Sequence, residues 1–168
     1  MVTGETLNTV IGQGYLSATP MQMARLMAAV VNGGRIYNLS ILKEPDSRAD
    51  IERRVKITPE YLRIIKKALQ GVVEDKHGTG KLAHSDIVAV GGKTGTTQVV
   101  GGVRKGKKVP ERFRDHAWFV AFAPETKPEI AVAVFVEHGG HGSTGAAPVA
   151  KEIIDEFYKD RENLNTET

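Results

Sequence analysis

The spacing of apolar and polar positions divides the chain into helices flanking a run of strands. Met23, Leu26, Met27 and Val30 recur at helical spacing, preceded by Thr19-Pro20-Met21-Gln22. Thr19 reads as an N-cap, Pro20 as the first helical residue and Gln22 as the third, a T-x-x-Q capping box. Asn32-Gly33-Gly34 stops this helix. Its Met residues read as core packing on an amphipathic helix. A second helix is predicted from a Thr58 cap and Pro59, with Leu62, Ile65, Leu69 and Val72 on one face. It ends near Asp75, before His77-Gly78-Thr79-Gly80. The charged segment between the two helices, Lys43 to Lys56, reads as a surface excursion.

Strands follow. Ile87-Val88-Ala89-Val90 leads through Gly91-Gly92 into Lys93-Thr94-Gly95-Thr96-Thr97-Gln98-Val99-Val100. A second run covers His116 to Phe122 and a third Ile130 to Val136. The short link from Pro124 to Glu129 makes the last two an antiparallel hairpin. The longer link, Gly101 to Asp115, sets Arg104, Lys105, Lys107, Lys108, Arg112 and Arg114 against Glu111 and Asp115. It reads as a solvated hairpin loop rather than a polyanion site. A closing helix is predicted over Ala147 to Lys159, with Val149, Ile153 and Phe157 on one face. Arg161 to Thr168 read as a frayed polar tail. The fold class is therefore α+β, an antiparallel sheet of three expected strands with flanking helices.

Composition narrows the function. A chain of 168 residues fits one domain. With 40% hydrophobic and 26% charged residues it is expected to fold rather than remain disordered. A net charge of +3 is no nucleic-acid signature. Without Cys, disulfides, thiol catalysis and Cys-ligated metals are ruled out. No segment approaches the roughly 18–20 apolar residues of a membrane span. Met1 to Asn8 lack the features of a signal peptide.

The candidate chemistry lies in Lys93-Thr94-Gly95-Thr96. A fixed ammonium at Lys93 favours an anionic substrate and a deprotonated neighbouring base. Gly95 has no side chain, so a substrate backbone can lie against the strand. Thr94 and Thr96 share strand parity and can both offer hydroxyls to a carboxylate. The Thr96 N–H is then free to point at a developing oxyanion.

K-T-G on an edge strand belongs with S-x-x-K and S-x-N in penicillin-binding proteins and serine β-lactamases. The run from Val90 to Val100 closely resembles that strand in elongation-type class B penicillin-binding proteins, the penicillin-binding protein 2 family. So do Ile11-Gly12-Gln13-Gly14-Tyr15-Leu16 with Thr19 to Ala24, Asn32-Gly33-Gly34, His116 to Pro124, and Ala146 to Ala150. The blocks appear in family order and cover nearly the whole chain.

The resemblance implies the C-terminal half of a penicillin-binding/serine β-lactamase-like transpeptidase domain, over residues 1–160, with 161–168 as the tail. It implies a peptidoglycan D,D-transpeptidase, in which a serine attacks the D-Ala–D-Ala bond of a stem peptide and forms an acyl-enzyme. An amine on a neighbouring strand then takes the acyl group. Lys93 would support the polar centre, Thr94 and Thr96 would bind the terminal carboxylate along Gly95, and the Thr96 N–H would complete the oxyanion hole. The implied partners are stem peptides, β-lactams and the N-terminal remainder of the domain. No cofactor, metal or nucleic acid is implied. The parent family works at the periplasmic face of the inner membrane, held by an N-terminal anchor that this chain lacks.

The chain departs from the family in two of its three motifs. No S-x-N occurs, and the one S-x-x-K, Ser40-Ile41-Leu42-Lys43, lies just after a helix stop and before Pro45. It therefore cannot open a long central helix, and Ser40 is not expected to be the nucleophile. The expectation is a chain that is inactive alone, because loss of the nucleophile removes covalent catalysis. Two other classes remain. One is a noncatalytic binding or interaction module. The other is a dinucleotide site at Gly140-His141-Gly142-Ser143-Thr144-Gly145, which matches G-x-G-x-x-G but lacks the following parallel strand. Glu137, His138 and His141 read as a solvated loop rather than a metal site.

Overall fold

The computed structural model describes residues 3–10, 12–13, 16–41, 51–99 and 109–166. A helix that the spacing does not announce, α1, covers Thr3–Val10. Its end is a Schellman cap. The Gly12 N–H bonds the Thr9 carbonyl at 3.0 Å and the Gln13 N–H bonds the Asn8 carbonyl at 2.8 Å. Gly12 takes φ 75°, which glycine adopts without a Cβ clash.

Helix α2, Pro20–Val31, starts as the sequence predicts. Thr19 Oγ1 accepts the Gln22 N–H at 3.2 Å, and Gln22 Oε1 accepts the Thr19 N–H at 2.8 Å. Asn32 is the C-cap, and Gly33 and Gly34 turn the chain at φ 88° and 84°. Because both bonds of the box are made, Thr19→Ala is expected to cost ~1 kcal/mol in a denaturant melt. Thr19→Ser should keep nearly all of it.

Two short strands, β1 (Arg35–Tyr37) and β2 (Ile51–Arg54), pair antiparallel, and β2 lies in the segment from Lys43 to Lys56 expected as a plain surface excursion. β2 is exposed along its whole length, so no apolar alternation betrays it. Residues 43–50 of that excursion lie outside the described residues.

Helix α3 is Pro59–Glu74 with Asp75 as C-cap, but the Thr58 side chain makes no capping bond. Its buried residues are Leu62 and Val73, whereas Ile65 of the predicted face is exposed.

The main sheet has strands β3 (Gly91–Thr97), β4 (His116–Ala123) and β5 (Ile130–Val136) in that order, antiparallel throughout. Gly95 faces Trp118, and Trp118 faces Phe135. Paired residues share a face, and faces alternate along a strand. The back face carries Ala117, Phe119, Ala121, Val132 and Val134, all buried. They pack against Ala146, Ala147, Ala150 and Ile154 in one cluster. The front face carries Lys93, Gly95, Thr97, His116, Trp118, Val120 and Phe135, and α2 packs on β4 and β5.

The predicted strand at Ile87 to Val90 does not form. Its backbone is satisfied otherwise: Ile87 N–H at 3.0 Å and Val88 N–H at 3.3 Å donate to Ser85 Oγ, and the Ala89 carbonyl accepts the Glu125 N–H at 3.1 Å. β3 begins only at the two glycines. A Cβ on Gly91 would meet the Phe122 ring at 2.4 Å, and one on Gly92 the Phe119 ring at 2.7 Å. The pair admits two fully buried rings from opposite faces of the strand.

The chain closes with a π-helical turn, Gly142–Ala146, and helix α4, Ala147–Thr166. The expected frayed tail is thus helical to Thr166. The buried face of α4 is not Val149, Ile153 and Phe157 but Ala147, Ala150 and Ile154. Small alanines let the helix approach the sheet closely, Ile154 fills the core beside them, and Val149 and Ile153 face away. No described helix is long and apolar enough to cross a membrane.

Candidate functional site

Among the described residues β3 is an edge strand, with β4 as its only neighbour. Lys93 is exposed on the front face, and its side chain reaches round the edge. Nζ donates to the Thr94 carbonyl at 2.8 Å and lies 3.4 Å from Thr94 Oγ1. Thr94 Oγ1 is in turn 3.3 Å from Thr79 Oγ1. An ammonium and two hydroxyls therefore stand in a row along the edge. Such a row can take a carboxylate through charge-assisted hydrogen bonds.

Thr96 is held on both sides. Its Oγ1 accepts the Gly142 N–H at 3.4 Å, and its carbonyl accepts Gln13 Nε2 at 2.9 Å. In an antiparallel strand the N–H and C=O of one residue point to the same side. The Gln13 bond shows that the Thr96 carbonyl faces away from β4, so its N–H is directed off the edge too. A backbone N–H fixed in that direction can donate to an oxyanion.

In front of the strand lies a cavity of about 420 Å³. Lys93, Gly95, Thr97, His116, Trp118 and Val120 form its floor, and Leu16 and Ala18 of the segment before α2 border it with Met23 of the helix. Trp118 and Phe135 meet there with ring centroids 4.7 Å apart. Gly95 opens onto this side, where a Cβ would stand 3.1 Å from Trp118 Cβ.

In the run Gly140 to Gly145, Gly142 and Gly145 are occupied by packing, while Gly140 serves a positive φ of 76°. A Cβ on Gly142 would lie 2.3 Å from the Trp118 carbonyl oxygen and 2.4 Å from that of Gly95. A Cβ on Gly145 would lie 2.3 Å from the Gly139 carbonyl oxygen. Gly95 and Trp118 turn away from the back face, and Gly142 fills the gap they leave. The sheet before the turn is antiparallel, which removes the parallel unit that a dinucleotide site needs.

His116 and His138 are engaged locally. The His138 N–H donates to His116 Nδ1 at 2.9 Å, and His138 Nδ1 lies 3.1 Å from the Arg114 carbonyl. Among the described residues no three metal-type ligands converge. Ser40 follows β1 in exposed irregular chain, on no helix. Lys43, and Arg104, Lys105, Lys107 and Lys108 of the basic loop, lie outside the described residues.

The structure thus brings Lys93, Thr94, Gly95 and Thr96 to one edge of the sheet, free of a further strand among the described residues. It adds Thr79 and Gln13, to which the sequence assigns no role. The cue for Gln13 is its place after a helix-capping glycine, and for Thr79 its flanking glycines.

Residues 2–155 match the family model of the penicillin binding protein transpeptidase domain. The chain belongs to this family. The peptidoglycan D,D-transpeptidase MrdA of Salmonella typhimurium (strain SL1344) is 32% identical over 169 residues, which cover 92% of this chain and 27% of that protein. The chain therefore spans about a quarter of the length of this curated relative. Among solved penicillin-binding proteins, PBP2 of Pseudomonas aeruginosa in complex with WCK 5153 superposes with a TM-score of 0.75 at 36% identity, covering 94% of this chain and 34% of that one. Penicillin-binding protein A of M. tuberculosis, as its imipenem acyl-enzyme complex, gives 0.66 at 28% identity over 88% of this chain and 32% of that one.

Proposed function

We propose that this chain supplies the substrate-binding wall of a peptidoglycan D,D-transpeptidase, and that the nucleophile and its base come from residues outside these 168. The observation that carries this reading is the free edge of β3 in a transpeptidase-family chain. There the Lys93 ammonium lies beside the Thr94 hydroxyl, and the Thr96 backbone faces off the sheet.

In this reading a stem peptide ending in D-Ala–D-Ala lies along the edge. Its terminal carboxylate is taken by the Thr94 and Thr96 hydroxyls in the field of Lys93. A serine on the facing part of the domain attacks the penultimate carbonyl, and the Thr96 N–H donates to the oxyanion that forms. The C–N bond then breaks, D-Ala leaves with a proton, and an acyl-enzyme remains for the amine of a neighbouring strand. β-Lactams acylate the same serine. The site works on the periplasmic side of the membrane, tethered by residues outside this chain.

Fluorescent penicillin tests the reading. The chain alone is expected to give no covalent band after denaturation. Mixed with the S-x-x-K- and S-x-N-bearing part of a related transpeptidase domain, it should support a band on that partner. A band on this chain alone would point to Ser40 and overturn the assignment.

A further inference from the structure

We propose that Gln13 is a positioning residue for the oxyanion donor of β3, an inference that rests on the transpeptidase reading above. An edge strand has one row of backbone groups without a ladder partner, so the sheet holds each of its peptide planes from one side only. On β3 the two outward carbonyls at Thr94 and Thr96 are held instead by side chains. Lys93 Nζ takes the first at 2.8 Å and Gln13 Nε2 the second at 2.9 Å.

Gln13 is well placed for a fixed donor. It follows Gly12 directly, and its own N–H closes the Schellman cap on Asn8. Its backbone is therefore anchored to the end of α1, and its half-buried side chain has little freedom left to reach elsewhere. The bond joins residues 83 apart in sequence. It pins the Thr96 carbonyl, while the Gly142 N–H pins the Thr96 hydroxyl from behind. The Thr96 N–H lies in the preceding peptide plane, which the ladder holds through Gly95. With the following plane held by Gln13 and the side chain by Gly142, the residue between them has little freedom to rotate, and the N–H keeps one direction. Preorganisation of this kind lets an N–H stabilise a developing charge without reorganising during the reaction.

The donor chemistry makes the idea separable from packing. Gln13→Glu keeps the volume but sets a carboxylate against a carbonyl, and Gln13→Met keeps the volume with no donor. Gln13→Arg restores a donor. In the assembly with the S-x-x-K-bearing part, the acylation rate constant for fluorescent penicillin is expected to fall about 10-fold or more in Glu and Met. The noncovalent binding constant and melting temperature should stay near wild type, and Arg should recover part of the rate. In the isotopically labelled chain alone, the Thr96 carbonyl carbon resonance should move in Glu and Met. Wild-type acylation rates in both variants, or an unmoved Thr96 resonance, overturn the inference. An unlabelled wild-type assembly overturns the transpeptidase reading instead, and shows as no band for any variant.

Discussion

Gly142→Ala is expected to destabilise the chain by about 3 kcal/mol, at the upper end of what overpacking costs. The added methyl would stand 2.3 Å from the Trp118 carbonyl oxygen and 2.4 Å from that of Gly95. Both obstacles are backbone in the middle of a sheet, so neither can rotate aside as a side-chain tip would. The turn must lift instead. That would break the Gly142 N–H bond to Thr96 and draw the start of α4 away from Ala117 and Phe119. Denaturant midpoints measure the effect, and Gly71→Ala calibrates it. Gly71 lies inside α3 with nothing within 4 Å of an added Cβ. There the same change should stabilise by ~1 kcal/mol, from helix propensity and a less flexible unfolded chain. If Gly142 served a phosphate cradle rather than packing, its alanine variant would melt like wild type.

Asp155→Ala is expected to cost about 2 kcal/mol, the penalty for leaving a buried hydroxyl donor without its acceptor. Asp155 is 6% exposed on α4. Lys151 Nζ and Ser85 Oγ both donate to its carboxylate, and Ser85 Oγ itself accepts two backbone N–H groups from the irregular segment before β3. The network ties the last helix to the approach of β3. Its truncation leaves the Ser85 hydroxyl buried without an acceptor, while the partly exposed Lys151 can rehydrate. Burial alone pushes the Asp155 carboxyl up, but the hydrogen bonds from Lys151 and Ser85 outweigh it and hold the group below its ordinary value. The unfolded chain thus takes up this proton first as acid is added. The stabilisation is therefore complete above the unfolded value of ~3.9 and is lost as pH falls through the lower folded value. In melts across pH, the gap between wild type and Asp155→Asn should be constant above about pH 5 and narrow below about pH 4. A gap that widens in acid would show that the carboxyl is held protonated.

Local signals made several elements legible. The capping box at Thr19 and Gln22, the glycine stop after α2 and the β4–β5 hairpin each follow from neighbouring residues. The free edge at Lys93 to Thr96 follows from motif and parity. What the sequence hides depends on distant partners. Val88 and Val90 have strand-like side chains, yet Ser85 takes over backbone bonds that a ladder would have used. In α4 the large apolar residues suggest one buried face, while the sheet selects the alanines because they let two backbones come close. Gln13 carries no sign of its target, since Thr96 lies in an element formed much later in the chain. Thr79 reads as part of a turn until β3 is placed beside it.

The seat of Gly142 beneath Gly95 also bears on how such a wall can change over generations. From behind, positions 95, 118 and 142 are one interlocked unit, and a methyl gained at 142 needs compensating backbone shifts at the other two. From the front, Thr97 and Val120 border open volume, so each can be exchanged alone. Variation at this strand, whether neutral drift or escape from an inhibitor, has one permissive side and one locked side.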